Sequence, residues 1–337
     1  LNLRIASGFS AGIDPYPPNA ELLGSVNLPF VIVADHPGFV GASVKLIQRM
    51  LINEVVGLAV TKFFFNENAV EVSPKDAVRY YTGTLNDDFT FTPEHHGVLD
   101  PGGWEGFYAP NVMEDGKGRK LLWAWMPEVA RGAFEDAKGW AGALTVPRQL
   151  SLTADGRLRM DPVPELQRLR GPCERLSGLI LCAGADEGDA ALANAGSACL
   201  LQTRGRALEL LAEIELIDAN ASFGFKLLHT DNDEECTVIV FEPEQRSFHV
   251  DRTRSSLSPS THKAELRGEI DWAAGSTVKV HMLLDYSLLE VFAGYDSCLS
   301  ARMYPLLEES DRVTVFARKG SVSFRSLQVW AIRSIWP

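Results

Sequence analysis

The residues of this chain that could do chemistry are concentrated between Arg79 and Arg170. They run Arg79-Tyr80-Tyr81-Thr82-Gly83-Thr84, Trp104-Glu105-Gly106-Phe107-Tyr108-Ala109-Pro110-Asn111 and Leu121-Leu122-Trp123-Ala124-Trp125-Met126-Pro127-Glu128. Gly139-Trp140-Ala141-Gly142 and Val146-Pro147-Arg148-Gln149-Leu150-Ser151-Leu152 follow. Aromatic rings recur beside glycine, proline and a few charges, at intervals of one short strand and one turn. An antiparallel sheet patterned this way offers flat apolar faces together with polar groups, which is what a sugar binds.

Other chemistries lack their residues. The seven histidines include the adjacent pair His95-His96 but no HExxH spacing. The five cysteines are an odd number, widely spaced and without a CxxC pair, so free thiols are expected rather than a zinc site or a disulfide framework. No G-x-S-x-G elbow and no Gly-rich phosphate loop occurs, and no cofactor is implied. A net charge of −12 with scattered Lys and Arg argues against nucleic acid as a partner. No apolar run reaches the roughly 20 residues that span a bilayer, so no membrane partner is expected. The first residues show neither a basic n-region with an apolar h-region nor a starting Met, which leaves the compartment open between extracellular and cytoplasmic.

The elements that must position the aromatic run read as β. A length of 337 residues suggests two domains, and 46% hydrophobic with 23% charged residues is a globular composition. Residues 1–68 form an irregular segment, broken by Pro15, Pro17, Pro18, Pro29 and Pro37, with one strand at Pro29 to Ala34. The apolar run Val44 to Phe65 fits a helix followed by a strand, and periodicity does not settle it. Residues 69–165 are short strands between turns such as Asn86-Asp87-Asp88, Asp115-Gly116-Lys117-Gly118 and Ala154-Asp155-Gly156. Residues 166–198 are expected to be a linker, a proline-opened short helix and then a Gly/Ala/Asp-rich loop. Residues 199–337 alternate with period two in strand after strand, including Leu208 to Leu216, Ser222 to His229, Thr277 to Leu284, Arg312 to Ala317 and Val322 to Ile332, and predict a β-sandwich.

These blocks resemble glycoside hydrolase family 32, the invertases, levanases and inulinases. The resemblance runs from about Val70 to the end. It rests on Gly106 to Pro110, Leu122 to Trp125 with Glu128, Gly139 to Gly142, Pro147-Arg148, Asp155 to Leu158 and Pro162 to Leu166. In the second half it rests on Val250 to Ser256, Leu284 to Ala293 and Ala301 to Pro305. It implies an all-β fold, a five-bladed β-propeller (here partial) followed by a β-sandwich. It carries a fructosyl-pocket role onto Tyr108 and Trp125, and Glu128 could point into the same pocket. Against this stands the reading in which both rings fill a seam between blades, with Trp123 and Trp140 as core and Arg148 as a structural ion pair or backbone donor.

The catalytic blocks are not found. Retaining glycosidases need two carboxylates about 5–5.5 Å apart, a nucleophile and a proton donor. The resemblance calls for Asn-Asp-Pro-Asn-Gly, and Asp14-Pro15 shares only two residues with it. For Arg-Asp-Pro the nearest match is Ala34-Asp35-His36-Pro37. For Glu-Cys-Pro-Asp-Phe-Phe, an alignment on Phe64-Phe65 puts Val60 at the glutamate, and Glu54 is the closest alternative. Asp35 and Glu54 are therefore the catalytic candidates. The first 68 residues are also too few for the blades that would precede Ala69, which suggests truncation, mis-splicing or an upstream deletion. An open propeller exposes a sheet edge, a route to a homo-oligomer through that edge or through the sandwich. The expected function is β-fructofuranosidase-type hydrolysis of sucrose or a fructan with retention, weak or absent in this chain. The alternative is a non-catalytic carbohydrate-binding or regulatory remnant.

Overall fold

The structure is a computed structural model and describes residues 29–33, 57–59, 78–85, 91–128, 142–184 and 197–335. The chain divides into two compact units: residues up to Trp125 with Ala143–Val163 form one, and Met126–Gly142 with Pro164 onward form the other.

The first unit holds two small sheets. One contains β1 (Pro29–Val33), β2 (Gly57–Ala59), β3 (Val78–Leu85) and β4 (Phe91–Asp100) in the order β2-β1-β3-β4. Its β1–β2 pair is parallel, unlike the all-antiparallel blades of a regular propeller. A single helical turn, α1 (Gly103–Gly106), leads into the second sheet. That sheet holds β5 (Tyr108–Glu114), β6 (Lys120–Met126), β7 (Ala143–Leu144), β8 (Arg148–Leu152) and β9 (Leu158–Pro162). The order is β5-β6-β8-β9, with β7 also on β6. Turns close the hairpins as their residues dictate: Asp115 accepts from the backbone N–H of Lys117 and Arg119, and Gly118 supplies the positive φ of +76°. The Thr82 hydroxyl donates to Gly156 O at 2.7 Å, tying β3 to the β8–β9 turn.

Alternation puts Val112, Leu122, Ala124, Leu150, Leu158 and Met160 on the buried face of the second sheet. Arg148 lies on that face too, fully buried. Its Nη1 donates to Asp100 at 3.1 Å and its guanidinium lies 4.7 Å from the centre of the Phe107 ring. Asp100 also accepts from Gly102 N, so the buried pair is hydrogen-bonded as burial of charge requires. This is the structural ion pair that the sequence offered for Arg148.

Among the described residues of the second unit a 3₁₀ turn, Pro164–Leu169, precedes eleven strands. They are β10 (Arg170–Ala183), β11 (Ala198–Leu200), β12 (Ala207–Leu216), β13 (Ser222–His229), β14 (Thr237–Glu242), β15 (Ser247–Asp251) and β16 (Leu266–Glu269). β17 (Thr277–Asp285), β18 (Leu288–Ala293), β19 (Ser297–Arg302) and β20 (Arg312–Ile332) complete them. The early part of β20 pairs with β11 and β13, and its later part with β10 and β12, so one 21-residue strand serves both layers. The sequence predicted two strands there. Gly320, at φ +63°, is where β20 passes from one layer to the other. A Cβ at Gly320 would lie 3.1–3.2 Å from Asn220, Ala221 and Asp218, so a larger residue is disfavoured twice. A second departure lies at residues 170–183, expected within the linker, which form the fourteen-residue strand β10.

Between the layers, Leu208, Leu210, Ala212 and Ile214 of β12 meet Phe223, Phe225, Phe241, Phe248 and Phe324. Phe241 stacks on Phe223 and Phe248 at 5.1 and 5.3 Å, and edge-on rings of Phe324 close the group. Buried charge is consumed by the fold. Glu235, fully buried, accepts from Leu257 N, Leu306 N, Leu307 N and the Ser310 hydroxyl. Burial disfavours its ionised form, but those donors outweigh it and hold the carboxyl below its ordinary range. None of the five cysteines is in a disulfide: Cys236 and Cys298 are buried, Cys173 and Cys199 half-buried, Cys182 exposed.

Candidate functional site

β5 and β6 bring Tyr108 and Trp125 opposite each other. Their ring centres lie 6.3 Å apart, tilted by 59°. The register then shifts: Tyr108 faces Trp125, but Asn111 faces Trp123, so β5 carries one extra residue between these pairs. Ala109 takes up the bulge at φ +45°, a left-handed conformation that a residue with a Cβ adopts only under constraint. Asn111 Nδ2 donates to Ala109 O at 3.2 Å and braces it. Bulges of this kind re-aim side chains beside them, and Tyr108 precedes this one. On β6 the alternation is sharp. Leu122, Ala124 and Met126 are buried, while Trp125 is 37% exposed on the opposite face. A half-buried phenol beside a partly exposed indole presents aromatic surface to solvent.

Glu128 sits differently. It is buried in the second unit, where Oε1 accepts from Arg302 Nη2 at 2.5 Å and from Gly142 N at 3.3 Å. Oε2 accepts from the Tyr304 hydroxyl at 2.8 Å, and Arg302 Nη1 also donates to Met126 O. Burial pushes the Tyr304 phenol up, which keeps it a donor. Both carboxylate oxygens are thus engaged by protein groups, and the geometry is that of an anchor for the chain after β6. Arg302 and Tyr304 fall in the Ala301-to-Pro305 block, but nothing in the sequence links that block to Glu128, 174 residues away.

Asp35 and Glu54 lie outside the described residues, as does Trp140. The structure therefore brings together Tyr108 and Trp125 of the candidate set and keeps Glu128 in separate contacts. Asn111, the brace of the bulge, was not singled out by the sequence. Among the described residues no group of three or more His, Cys, Asp or Glu side chains is gathered to hold a metal ion.

Comparison with known proteins covers both units. The family model "Glycosyl hydrolases family 32 N-terminal domain" matches residues 50–162, and "Glycosyl hydrolases family 32 C terminal" matches residues 175–331. The match begins earlier than the motif blocks alone indicated. The chain is 30% identical over 298 residues to the "Beta-fructofuranosidase, insoluble isoenzyme 1" of Daucus carota, covering 75% of this chain and 50% of the relative. It is 32% identical over 259 residues to a fructan 1-exohydrolase of Hordeum vulgare, covering 67% and 43%. The chain thus spans half or less of the length of these curated relatives. The crystal structure of fructan 1-exohydrolase IIa from Cichorium intybus superposes with a TM-score of 0.66 at 22% identity, over 77% of this chain and 55% of that one. A variant of that enzyme in complex with 1-kestose gives 0.65 at 21%. These likenesses show an all-β fold of propeller and sandwich type. Since both domains of one family match in order along a single chain, with the aromatic strands in the first and Arg302 and Tyr304 in the second, this chain belongs to glycoside hydrolase family 32.

Proposed function

We propose that this chain binds a β-fructofuranosyl unit of sucrose or a fructan at Tyr108 and Trp125, and that its hydrolysis of that unit with retention is weak or absent. The observation that carries the reading is the Tyr108–Trp125 pair, set across a strained bulge with the indole 37% exposed. Strain maintained beside an open ring is a feature of sites that hold a ligand. The carbohydrate class is supported by the family and by relatives named beta-fructofuranosidase and fructan 1-exohydrolase.

What limits hydrolysis is the supply of two facing carboxylates. In the described part of the first unit, Asp100 is held by Arg148 and Gly102, Asp115 by Arg119, Asp155 by Arg157 and Asp161 by Arg159. Glu114 pairs with Lys120, and Glu94 accepts from Thr84. Glu54 as proton donor and Asp35 as a grip on fructosyl hydroxyls remain the candidates. The second reading, a binding remnant without catalysis, is favoured by this engagement of the described carboxylates.

Fructose release from sucrose and inulin separates the two. Clear turnover that vanishes in Glu54→Gln would establish an active hydrolase and overturn the weak-or-absent half. Calorimetry with fructo-oligosaccharides tests the binding half, which heats no larger than dilution would sink.

A further inference from the structure

The turn between β12 and β13 carries a triplet with a chemistry of its own. Asn220-Ala221-Ser222 is the one Asn-x-Ser/Thr sequence in the chain, and its middle residue is not proline. The chain reverses over Asp218–Ala221, where Ala221 N donates to Asp218 O at 3.1 Å, and Asn220 is exposed there. Ser222, the third member, is 7% exposed, and its Oγ has no hydrogen-bond partner among the described residues. Burying a hydroxyl without a partner destabilises a fold, so β13 gains nothing from a serine at its first position. A glycan acceptor triplet does need that hydroxyl, because it is what the transferring enzyme reads.

The surface beside the turn is apolar and open. Leu181, Leu216 and Val322 point into the core from adjacent strands, so the residues flanking them face outward. Ile180 is 57% exposed, Ile217 is 47% exposed, and Cys182 is exposed. Cys182 lies opposite Ser321, whose carbonyl accepts from Ile217 N at 3.2 Å. Cys182 and Ile217 thus flank Ser321, with Ile180 two residues along β10. Among the described residues β10 pairs with β20 alone, which leaves its other edge open. Exposed apolar side chains on an open strand edge invite pairing with other chains. Asn220 lies at this place. A Cβ on Gly320 would sit 3.1 Å from Asn220 Oδ1, and Gly320 pairs with Ala183 at the end of β10. Two strand spacings separate β12 from β10 across β20, so the apolar group is about 10 Å from the turn.

We propose that Asn220 is an N-glycosylation site and that its glycan covers Ile180, Cys182 and Ile217 at the open edge of β10. The Asn220 amide nitrogen Nδ2 attacks the anomeric carbon of a lipid-diphosphate-linked oligosaccharide, presented by a transferase of the secretory route. The Nδ2–C1 bond forms and the C1–O bond to the diphosphate breaks. The electron pair of that bond leaves with the lipid diphosphate, and one amide proton passes to base, so nothing is oxidised or reduced. The size of the patch favours a glycan over a protein partner. Three side chains fall far short of the roughly 800 Å² per partner of a stable interface. A tethered sugar is held at high effective concentration and needs little affinity of its own.

The test is secretion of the whole chain from a eukaryotic host behind a cleavable leader, followed by peptide mapping in a mass spectrometer. An N-linked glycan is expected on Asn220, lost in Asn220→Gln and in Ser222→Ala and kept in Ser222→Thr. Enzymatic removal of the glycan from the folded protein should speed maleimide labelling of Cys182 several-fold and leave the buried Cys236 and Cys298 unlabelled. It should also shift sedimentation toward larger species, and Ile180→Lys should abolish that shift. A secreted chain with Asn220 unmodified overturns the site. A glycan whose removal changes neither the labelling of Cys182 nor the sedimentation overturns its covering role. Because the glycan is removed after folding, a variant that fails to fold cannot imitate either result.

Discussion

Trp330 and Trp125 are indoles on strands of different sheets, and the chain uses them in opposite ways. Trp330, 6% exposed on β20, lies under the guanidinium of Arg170 at 3.8 Å. Arg170 in turn grips Glu209 through two hydrogen bonds of 2.7 Å, and His281 Nε2 contacts the same carboxylate at 2.7 Å. Ring, cation and anion there satisfy one another inside the fold. Trp125 on β6 is held open, with a phenol beside it and a strained residue behind that phenol. Around Trp330 the ring, cation and anion close on one another, whereas Trp125 keeps more of its ring exposed, at 37%. Substitutions in the first region should therefore act on stability, and those in the second on binding.

The largest effect is expected at Gly224 on β13. A Cβ there would sit 2.1 Å from the carbonyl oxygen of Ile239 and 2.5 Å from Phe316 Cζ. The oxygen belongs to the paired strand β14 and cannot withdraw without breaking the ladder. Gly224→Ala should cost roughly 4 kcal/mol, at the upper end of overpacking penalties. Urea unfolding followed by sandwich-specific hydrogen exchange measures it. A midpoint close to that of the unmodified chain would mean that the β14-β13-β20 ladder yields far more readily than these contacts indicate.

Glu128 sharpens the comparison because it was a candidate for the sugar and is built into an anchor. Glu128→Ala leaves the buried Arg302 guanidinium without its carboxylate, a loss of about 3–5 kcal/mol for a broken buried pair. Glu128→Gln keeps an acceptor for Arg302 and Gly142 and should recover part of it. If Glu128→Gln folds with near-normal stability yet loses sugar binding, the residue touches ligand after all, and the division between the two regions fails at this point.

A third test uses pH. Burial raises the carboxyl of Glu209, but Arg170 and His281 outweigh it and hold the group at about 2, against an ordinary 4.5. A depressed folded-state value contributes stability that is present above pH 4.5 and drains away as pH falls toward 2. The shift corresponds to roughly 3 kcal/mol at neutral pH. Glu235, lowered in the same direction, adds to the trend. The stability gap between the unmodified chain and Glu209→Gln should narrow steadily between pH 4.5 and 2. A gap independent of pH would show that Glu209 contributes by packing rather than by charge.

The sequence made the sandwich legible where strands lie inside a sheet and alternate. Ser222–His229 appears with the bounds its residues suggested, and β12 and β17 each lie within one residue of theirs. It failed on β10 because an edge strand pairs on one side only, which lets Ile180 and Cys182 lie exposed and blurs the period. It split β20 because Lys319-Gly320-Ser321 looks like a turn, whereas a glycine at positive φ can redirect a strand without ending it. At the site, ring chemistry and motif blocks pointed to Tyr108 and Trp125. The bulge between them and Asn111 was invisible, since an alanine at positive φ carries no turn signal. Glu128 and Arg302 meet only through tertiary structure, and no local pattern encodes such a meeting.

The smallest effect on stability should accompany the largest effect on binding. Trp125 is 37% exposed and lies on the face of β6 opposite Leu122, Ala124 and Met126, so Trp125→Ala removes a partly buried ring without opening a cavity among those residues. The loss should be about 1–2 kcal/mol, below that of the buried changes above. The fructosyl reading requires that the same change weaken fructo-oligosaccharide binding at least about 10-fold, because a lost ring contact at this site cannot be made up by Tyr108 alone. Thermal unfolding and calorimetry on one preparation give both numbers. A variant that melts far below the unmodified chain while its remaining folded fraction binds sugar normally would place Trp125 with Trp330, as a ring that belongs to the fold.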